Sequence, residues 1–201
     1  ILVVHEWWGH NQHARNKAEA MAEMGYVALA VDMYGEGKQA DHPKKANEFM
    51  MQVFSDIDMA KARFDKAYEL LSADSKVDSE RMGAIGFCFG GSVVLTMANM
   101  GADLDAVAAF HSGVQIPVMP GENLSARVLI CNGEADPMVK PEHVTAYKAA
   151  LDSAGADYEY ISYPGVKHAY TNPDADSIGA EYGLPLAYDE EAERDSWNKM
   201  E

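Results

Sequence analysis

Short, nearly unbroken apolar runs alternate along the chain with stretches of helical periodicity. ILVVH (1–5), YVALAVD (26–32), MGAIGF (82–87), DAVAAFH (105–111), RVLICN (127–132) and DYEYISY (157–163) predict strands. Asn11 or a neighbour starts a helix that runs to Met24, with Gly25 as its stop. Pro43 suits the first turn of a second helix, after the Asp41-His42-Pro43 turn. The clearest helix spans Ser55 to about Ser72. Ile57, Ala60, Phe64, Ala67, Tyr68 and Leu71 share one face, and Ser55 with Asp58 forms a loose capping box. An apolar helix follows Gly90-Gly91 and ends near Gly101, another opens at Pro141, and a last one begins at about Asp189 after a long Gly/Pro/Asp-rich loop. Continuously apolar strands are those covered by helices on both faces. The alternation therefore predicts one α/β domain over 1–201 with a mainly parallel central sheet.

Charge narrows the partners. Sixteen basic residues against 32 acidic ones leave a net charge of −16, which argues against nucleic acid and anionic lipid. No apolar run reaches the ~18 residues needed to cross a bilayer. The two cysteines, Cys88 and Cys131, do not make a disulfide framework, so a reduced, cytoplasmic protein is expected, monomeric or a small homo-oligomer. The chain begins inside a strand-like run without Met and stops inside a helix-like one. Both ends look trimmed, and a removed leader would make the location periplasmic.

In parallel α/β sheets the chemistry gathers at the carboxyl ends of the strands. After MGAIGF comes Gly86-Phe87-Cys88-Phe89-Gly90-Gly91, a G-x-C-x-G elbow with cysteine at the nucleophile position. So tight a turn leaves no room for side chains two residues either side of Cys88. The next helix offers its N-terminus to a thiolate or an oxyanion. A buried free cysteine is the plainer alternative, and it is the reading adopted for Cys131, mid-strand among apolar residues. A thiol nucleophile needs a base and an orienting group. Asp136 follows the 127–132 strand, with Glu134 as the alternative acid, and His168 follows the 157–163 strand. The order nucleophile, acid, histidine is that of α/β-hydrolases.

HEWWGHNQH (5–13) raises the question of a metal site. His5, Glu6 and His10 miss the zinc motif H-E-x-x-H by one residue, and the segment leaves a strand where that motif lies on a helix. Trp7 and Trp8 lack the basic amphipathic helix of a membrane anchor. The rim of an active site fits better, and no metal or cofactor is expected. In α/β-hydrolases such a loop supplies one oxyanion-hole N–H and the residue after the nucleophile, here Phe89, supplies the other. Trp8, Tyr34, Phe89, His111 and Tyr170 stand at strand exits as candidate pocket residues. His5 either orients neighbouring loops or is a satisfied core histidine.

HEWWG, VDMYG, GFCFGG, NGEADPMV and YPGVKHAYTNPDAD together resemble the dienelactone hydrolase family of α/β-hydrolases over nearly the whole chain. The resemblance implies a Cys88–His168–Asp136 triad, Trp7 as the second oxyanion-hole N–H, and strands that normally precede Ile1. It also implies that Glu6 holds the resting thiol protonated until substrate displaces it. The implied activity is hydrolysis of a small carboxylic ester or lactone. Family members acting on dienelactone bind its carboxylate with arginines, one of them shortly after the catalytic histidine. Here Ala-Tyr-Thr-Asn-Pro follows His168, so a neutral substrate is at least as good an expectation. A thioesterase or amidase with the same triad, a noncatalytic ligand-binding protein on the same fold, and a metal-dependent hydrolase using His5, Glu6 and His10 are the rivals.

Overall fold

The computed structural model describes all residues from 1 to 201. The six strands are β1 (Leu2–Val4), β2 (Leu29–Val31), β3 (Gly83–Phe87), β4 (Ala106–Phe110), β5 (Arg127–Gly133) and β6 (Tyr158–Tyr163). They form one sheet in the order β2-β1-β3-β4-β5-β6, with every neighbouring pair parallel. The seven helices are α1 (Gln12–Glu23), α2 (Pro43–Ser55), α3 (Ile57–Ser72), α4 (Phe89–Asn99), α5 (Pro141–Ala154), α6 (Ala175–Tyr182) and α7 (Glu190–Met200).

The two-residue period of a strand explains how one sheet serves two cores. Leu2, Val4, Ala84, Val107, Ala109, Val128 and Ile130 point into the larger core, packed by α3, α4 and α5. The intervening residues Val3, Ile85, Phe87, Ala108, Phe110 and Cys131 point into a smaller one with Met21 of α1 and Ala192 of α7. Helices thus cover both faces, and a strand of alternating polarity would leave one core empty. α4 is buried along its whole length, as its apolar circumference requires. Its polar members are satisfied inside: Ser92 Oγ donates to the Gly113 carbonyl at 2.7 Å and Thr96 Oγ1 to the Ser92 carbonyl at 2.7 Å.

Three local readings of the sequence are corrected. Asp56, not Ser55, caps α3: its carboxylate accepts the Met59 N–H at 3.0 Å, while Ser55 ends α2 and its hydroxyl donates to the Gln52 carbonyl. The strand at 1–5 pairs only over Leu2–Val4, because His5 already turns into the loop. The stretch read as a loop before Asp189 contains α6, an eight-residue helix too short and glycine-interrupted to show a period.

The chain enters the sheet at β1, steps to β2 on one side, then crosses back to β3 and proceeds outward on the other. The strand order therefore reverses between β1 and β3. At such a switch point the loops leaving two adjacent strands diverge to opposite faces and open a crevice at their carboxyl ends. The loops that leave there are HEWWG and the cysteine elbow.

Candidate active site

Cys88 sits at φ 54°, ψ −117°, a conformation an L-residue adopts only when its surroundings impose it. Two glycines impose it. A Cβ on Gly86 would lie inside the Gly90 carbonyl, and a Cβ on Gly90 would overlap the Val4 carbonyl of β1. The backbone of the elbow is thus pressed against β1, and the half-buried thiol is thrust out at the strand end. The Cys88 N–H donates to the Phe110 carbonyl at 3.0 Å, which ties the turn to β4. The first turn of α4 begins one residue later, so its free N–H groups and positive end face the thiol.

The acid and the histidine arrive from β5 and β6. Gly133 lets the two loops touch, since a Cβ there would strike the Val166 carbonyl, and Ala135 N–H donates to that same oxygen at 3.0 Å. Asp136 is fully buried at its side chain. Oδ1 accepts the Met138 N–H at 2.8 Å and Oδ2 accepts from His168 Nδ1 at 2.6 Å. Glu134, the alternative acid, points to solvent. With Nδ1 bound to the carboxylate, His168 Nε2 is buried and has no hydrogen-bond partner. Burial pulls the His168 pKa down. The charge of a Cys88 thiolate, followed by the Asp136 hydrogen bond, outweighs that and pushes it up to about 10. Cys88 is thus a group whose charge His168 feels, and Nε2 is left free to receive a proton.

The HEWWG loop wraps the other side of the elbow. His5 is a satisfied core histidine: Nδ1 lies 2.6 Å from the Glu6 carbonyl and Nε2 accepts the Met33 N–H at 3.2 Å. Both nitrogens are occupied, so His5 is no metal ligand, and burial lowers its pKa to about 4. Trp7 is half-buried, and the Tyr34 hydroxyl donates to its carbonyl at 2.9 Å, which fixes the orientation of that peptide. Neither Trp7 nor Phe89 donates its N–H to another backbone group. Glu6 is buried, and Oε2 accepts from Asn172 Nδ2 at 2.8 Å. The loop that carries His168 thus holds one oxygen of the glutamate expected at the thiol. His13 also feels this carboxylate: burial lowers the His13 pKa and the charge of Glu6 partly restores it.

Tyr34 packs against His5, Phe49 and Phe89, and burial raises its pKa, with the charge of Cys88 adding to the rise. Trp8 stands edge-on to Trp7 and tilted against Tyr182, almost fully buried. Two other residues expected to line the pocket do not. His111 and Tyr170 are both 0% exposed. His111 packs edge-on behind His168 with ring centroids 5.2 Å apart, and Tyr170 lies in the smaller core with its hydroxyl donating to the Cys131 carbonyl at 3.2 Å. A strand exit places a residue near the crevice, but the pleat decides whether its side chain enters it. Thr171 and Asn172, both buried polar residues of the histidine loop, escaped the sequence reading. Their signal was two polar side chains directly after a candidate base. A cavity of about 560 Å³ opens at the opposite ends of the strands, beside Gly83, Ala106 and Arg127, away from every one of these groups.

A parallel sheet with a strained cysteine after a central strand, and an acid and histidine after two later ones, defines an α/β-hydrolase fold. Solved structures place the chain more narrowly. It superposes on m3DLH with a TM-score of 0.92 and 36% identity, over 99% of this chain and 82% of that one. It superposes on a dienelactone hydrolase-like promiscuous phosphotriesterase from metagenomic libraries with a TM-score of 0.90 and 33% identity, again over 99% and 82%. Protein usf of Aquifex pyrophilus is 30% identical over 203 residues, covering 98% of this chain and 84% of the relative. The dienelactone hydrolase family profile matches residues 1–201, and the chain belongs to that family.

Proposed function

We propose that the protein hydrolyses small, neutral carboxylic esters or lactones through a thioester on Cys88. The observation that carries the reading is His168. One nitrogen is bound to a buried carboxylate at 2.6 Å, and the other is buried, partnerless and beside a thiol on a strained elbow. The order of groups is that of a nucleophile, its base and an orienter.

His168 Nε2 takes the proton from Cys88 Sγ, and the thiolate adds to the ester carbonyl. The N–H groups of Phe89 and Trp7 hold the resulting oxyanion. Such donors contribute about 3 kcal/mol each when preorganised. The C–O bond to the leaving alkoxide breaks as His168 returns the proton to it. Water, deprotonated by His168, then attacks the thioester. The acid leaves and Cys88 recovers its proton. No metal or cofactor enters the scheme. The preference for a neutral substrate rests on Asn172 and Glu6: the histidine loop carries no arginine, and its amide is committed to a buried carboxylate. In this scheme Glu6 regulates the thiol only after leaving Asn172. The reading takes 1–201 as a single domain without nucleic-acid or membrane partners, in keeping with its net charge of −16. A relative from Aquifex aeolicus, 27% identical over 89% of this chain, is named a candidate carboxymethylenebutenolidase.

The test is p-nitrophenyl acetate hydrolysis by the wild type and Cys88→Ala, with intact mass recorded early in turnover. An acyl adduct on the wild type and an inactive variant are expected. Equal rates without an adduct refute the thiol route. A parallel panel of thioesters and amides separates an esterase from a thioesterase or amidase. The absence of any adduct or turnover across the panel favours the ligand-binding reading.

A further inference from the structure

Three consecutive side chains after the catalytic histidine reach three different strands. Tyr170 Oη donates to the Cys131 carbonyl of β5 at 3.2 Å. Thr171 Oγ1 meets His111 Nε2, at the exit of β4, at 2.8 Å. Asn172 Nδ2 donates to Glu6, at the exit of β1, at 2.8 Å. In the sheet, β3 lies between β1 and β4. The loop therefore crosses the end of β3, where Cys88 sits, and is fastened on both sides of it. Backbone bonds from Ala187 to the His168 carbonyl at 3.1 Å and from Asp189 to the Tyr170 carbonyl at 3.1 Å hold its outer edge.

We infer that residues 170–172 form a three-point clamp on the His168 loop, and that its middle point, Thr171 on His111, is a positioning contact that aims His168 at Cys88. The inference rests on the thiol route proposed above.

His111 is shaped for such support and for little else. It is fully buried, and its backbone lies at φ 40°, in the left-handed region that non-glycine residues uncommonly adopt. The His111 N–H is held by the Cys131 carbonyl at 2.8 Å. That strained exit drives the ring under His168, edge to face at 5.2 Å, and against Tyr170 at 5.3 Å. Its only hydrogen-bonded ring nitrogen is the one on Thr171, since Nδ1 is buried without a partner. Burial keeps the His111 ring neutral, and the charges of His168, His13 and Lys17 push the same way. A neutral ring behind the base leaves no second cation to repel an imidazolium at His168. Ala169, between the base and the clamp, is itself at φ 60°, so the loop keeps this path only while its downstream residues are held.

The experiment compares Thr171→Val, which keeps shape and removes the hydroxyl, with Thr171→Ser, which restores it. Rates on p-nitrophenyl acetate and urea midpoints are recorded for both, beside Cys88→Ala. A misaimed base lowers kcat and leaves KM in place. The expected loss for Thr171→Val is at least about tenfold in kcat, since small displacements of catalytic groups cost up to about a hundredfold. KM should stay within about twofold and Thr171→Ser should recover most of the rate. Wild-type kcat in Thr171→Val overturns the clamp, and so does an equal loss in both variants, which would indicate packing alone. If Thr171→Val does not fold, His111→Gln and His111→Leu make the same comparison. Gln keeps a nitrogen for the Thr171 hydroxyl and should exceed Leu several-fold in kcat; equality overturns the inference. If Cys88→Ala is inactive and Thr171→Val is unimpaired, the clamp falls alone. If Cys88→Ala is fully active, the thiol route falls, and the clamp with it.

Discussion

Replacing Asp136 with Asn probes the site at its most constrained atom. The carboxylate is fully buried, with Oδ1 on the Met138 N–H at 2.8 Å and Oδ2 on His168 Nδ1 at 2.6 Å. The Asn carbonyl keeps the Met138 bond, and its NH2 then faces Nδ1. Two donors cannot share that line, so His168 must place its proton on Nε2, the nitrogen that has to receive one from Cys88. Holding the imidazole in the wrong tautomer raises the barrier by about 3–5 kcal/mol. At about 1.4 kcal/mol per decade of rate, kcat should fall about 10²–10⁴-fold. The larger end matches the effect of the same change in a serine-protease triad. KM should barely move, because the carboxylate is out of reach of substrate. The assay is initial-rate hydrolysis of p-nitrophenyl acetate from pH 5 to 9, with Glu134→Gln as the control for an exposed carboxylate on the same loop. Retention of more than about a tenth of wild-type kcat, or an equal loss in Glu134→Gln, refutes Asp136 as the orienter.

Gly90→Ala forces a Cβ against the Val4 carbonyl, so the elbow must open; activity should fall by about a hundredfold and stability by about 1–3 kcal/mol. Gly113→Ala, where the new Cβ meets only Ser92 Oγ at 3.6 Å, should be near neutral in the same activity and urea assays. A thiol reagent should label Cys88 in the native protein and reach Cys131 only after unfolding, because burial pushes the Cys131 thiol up to about 12; equal labelling rates would contradict that burial. The urea midpoint should peak near pH 6.5. His5, lowered to about 4 from 6.5, binds its proton more readily when unfolded, so its contribution, about 3 kcal/mol, is lost as pH falls from 6.5 through 4. His168, raised to about 10, contributes stability that is complete below 6.5 and is lost as pH rises through 10. His5→Gln should flatten the acid limb and His168→Gln the alkaline limb; unchanged limbs refute these assignments.

Much of the fold is legible in the order of residues. A strand between two helical layers is apolar nearly throughout, and five such runs, with the more polar edge run at 157–163 and helical segments between them, leave few arrangements open. The elbow is equally local. Gly86, Cys88 and Gly90 make their turn within five residues; the steric reason for Gly86 lies in that spacing, whereas Gly90 answers to the Val4 carbonyl of β1. The cap of α3 was misassigned because Ser55 and Asp56 are adjacent acceptors, and only the path of α2 decides which is free. α6 went unread because eight residues hold barely two helical turns, too few to set a period.

Candidate residues for the chemistry could be proposed from their strand exits, but not which way each one faces. His111, Tyr170 and Tyr34 all follow strands. The packing of neighbouring loops turns all three into the interior, His111 and Tyr170 behind His168 and Tyr34 into the larger core, where the charge of Cys88 reaches it. Glu6 and Asn172 are 166 residues apart, and no local rule pairs them. The sequence by itself determined the periodicity, the tight G-x-C-x-G turn and the order of Cys88, Asp136 and His168, because each depends on short-range sterics or on which strand a residue follows. The tertiary structure alone decided that β1 and β4 flank β3, and so that residues 170–172 are fastened on either side of Cys88. That outcome depends on contacts between segments distant in the chain, and only the assembled sheet brings them together.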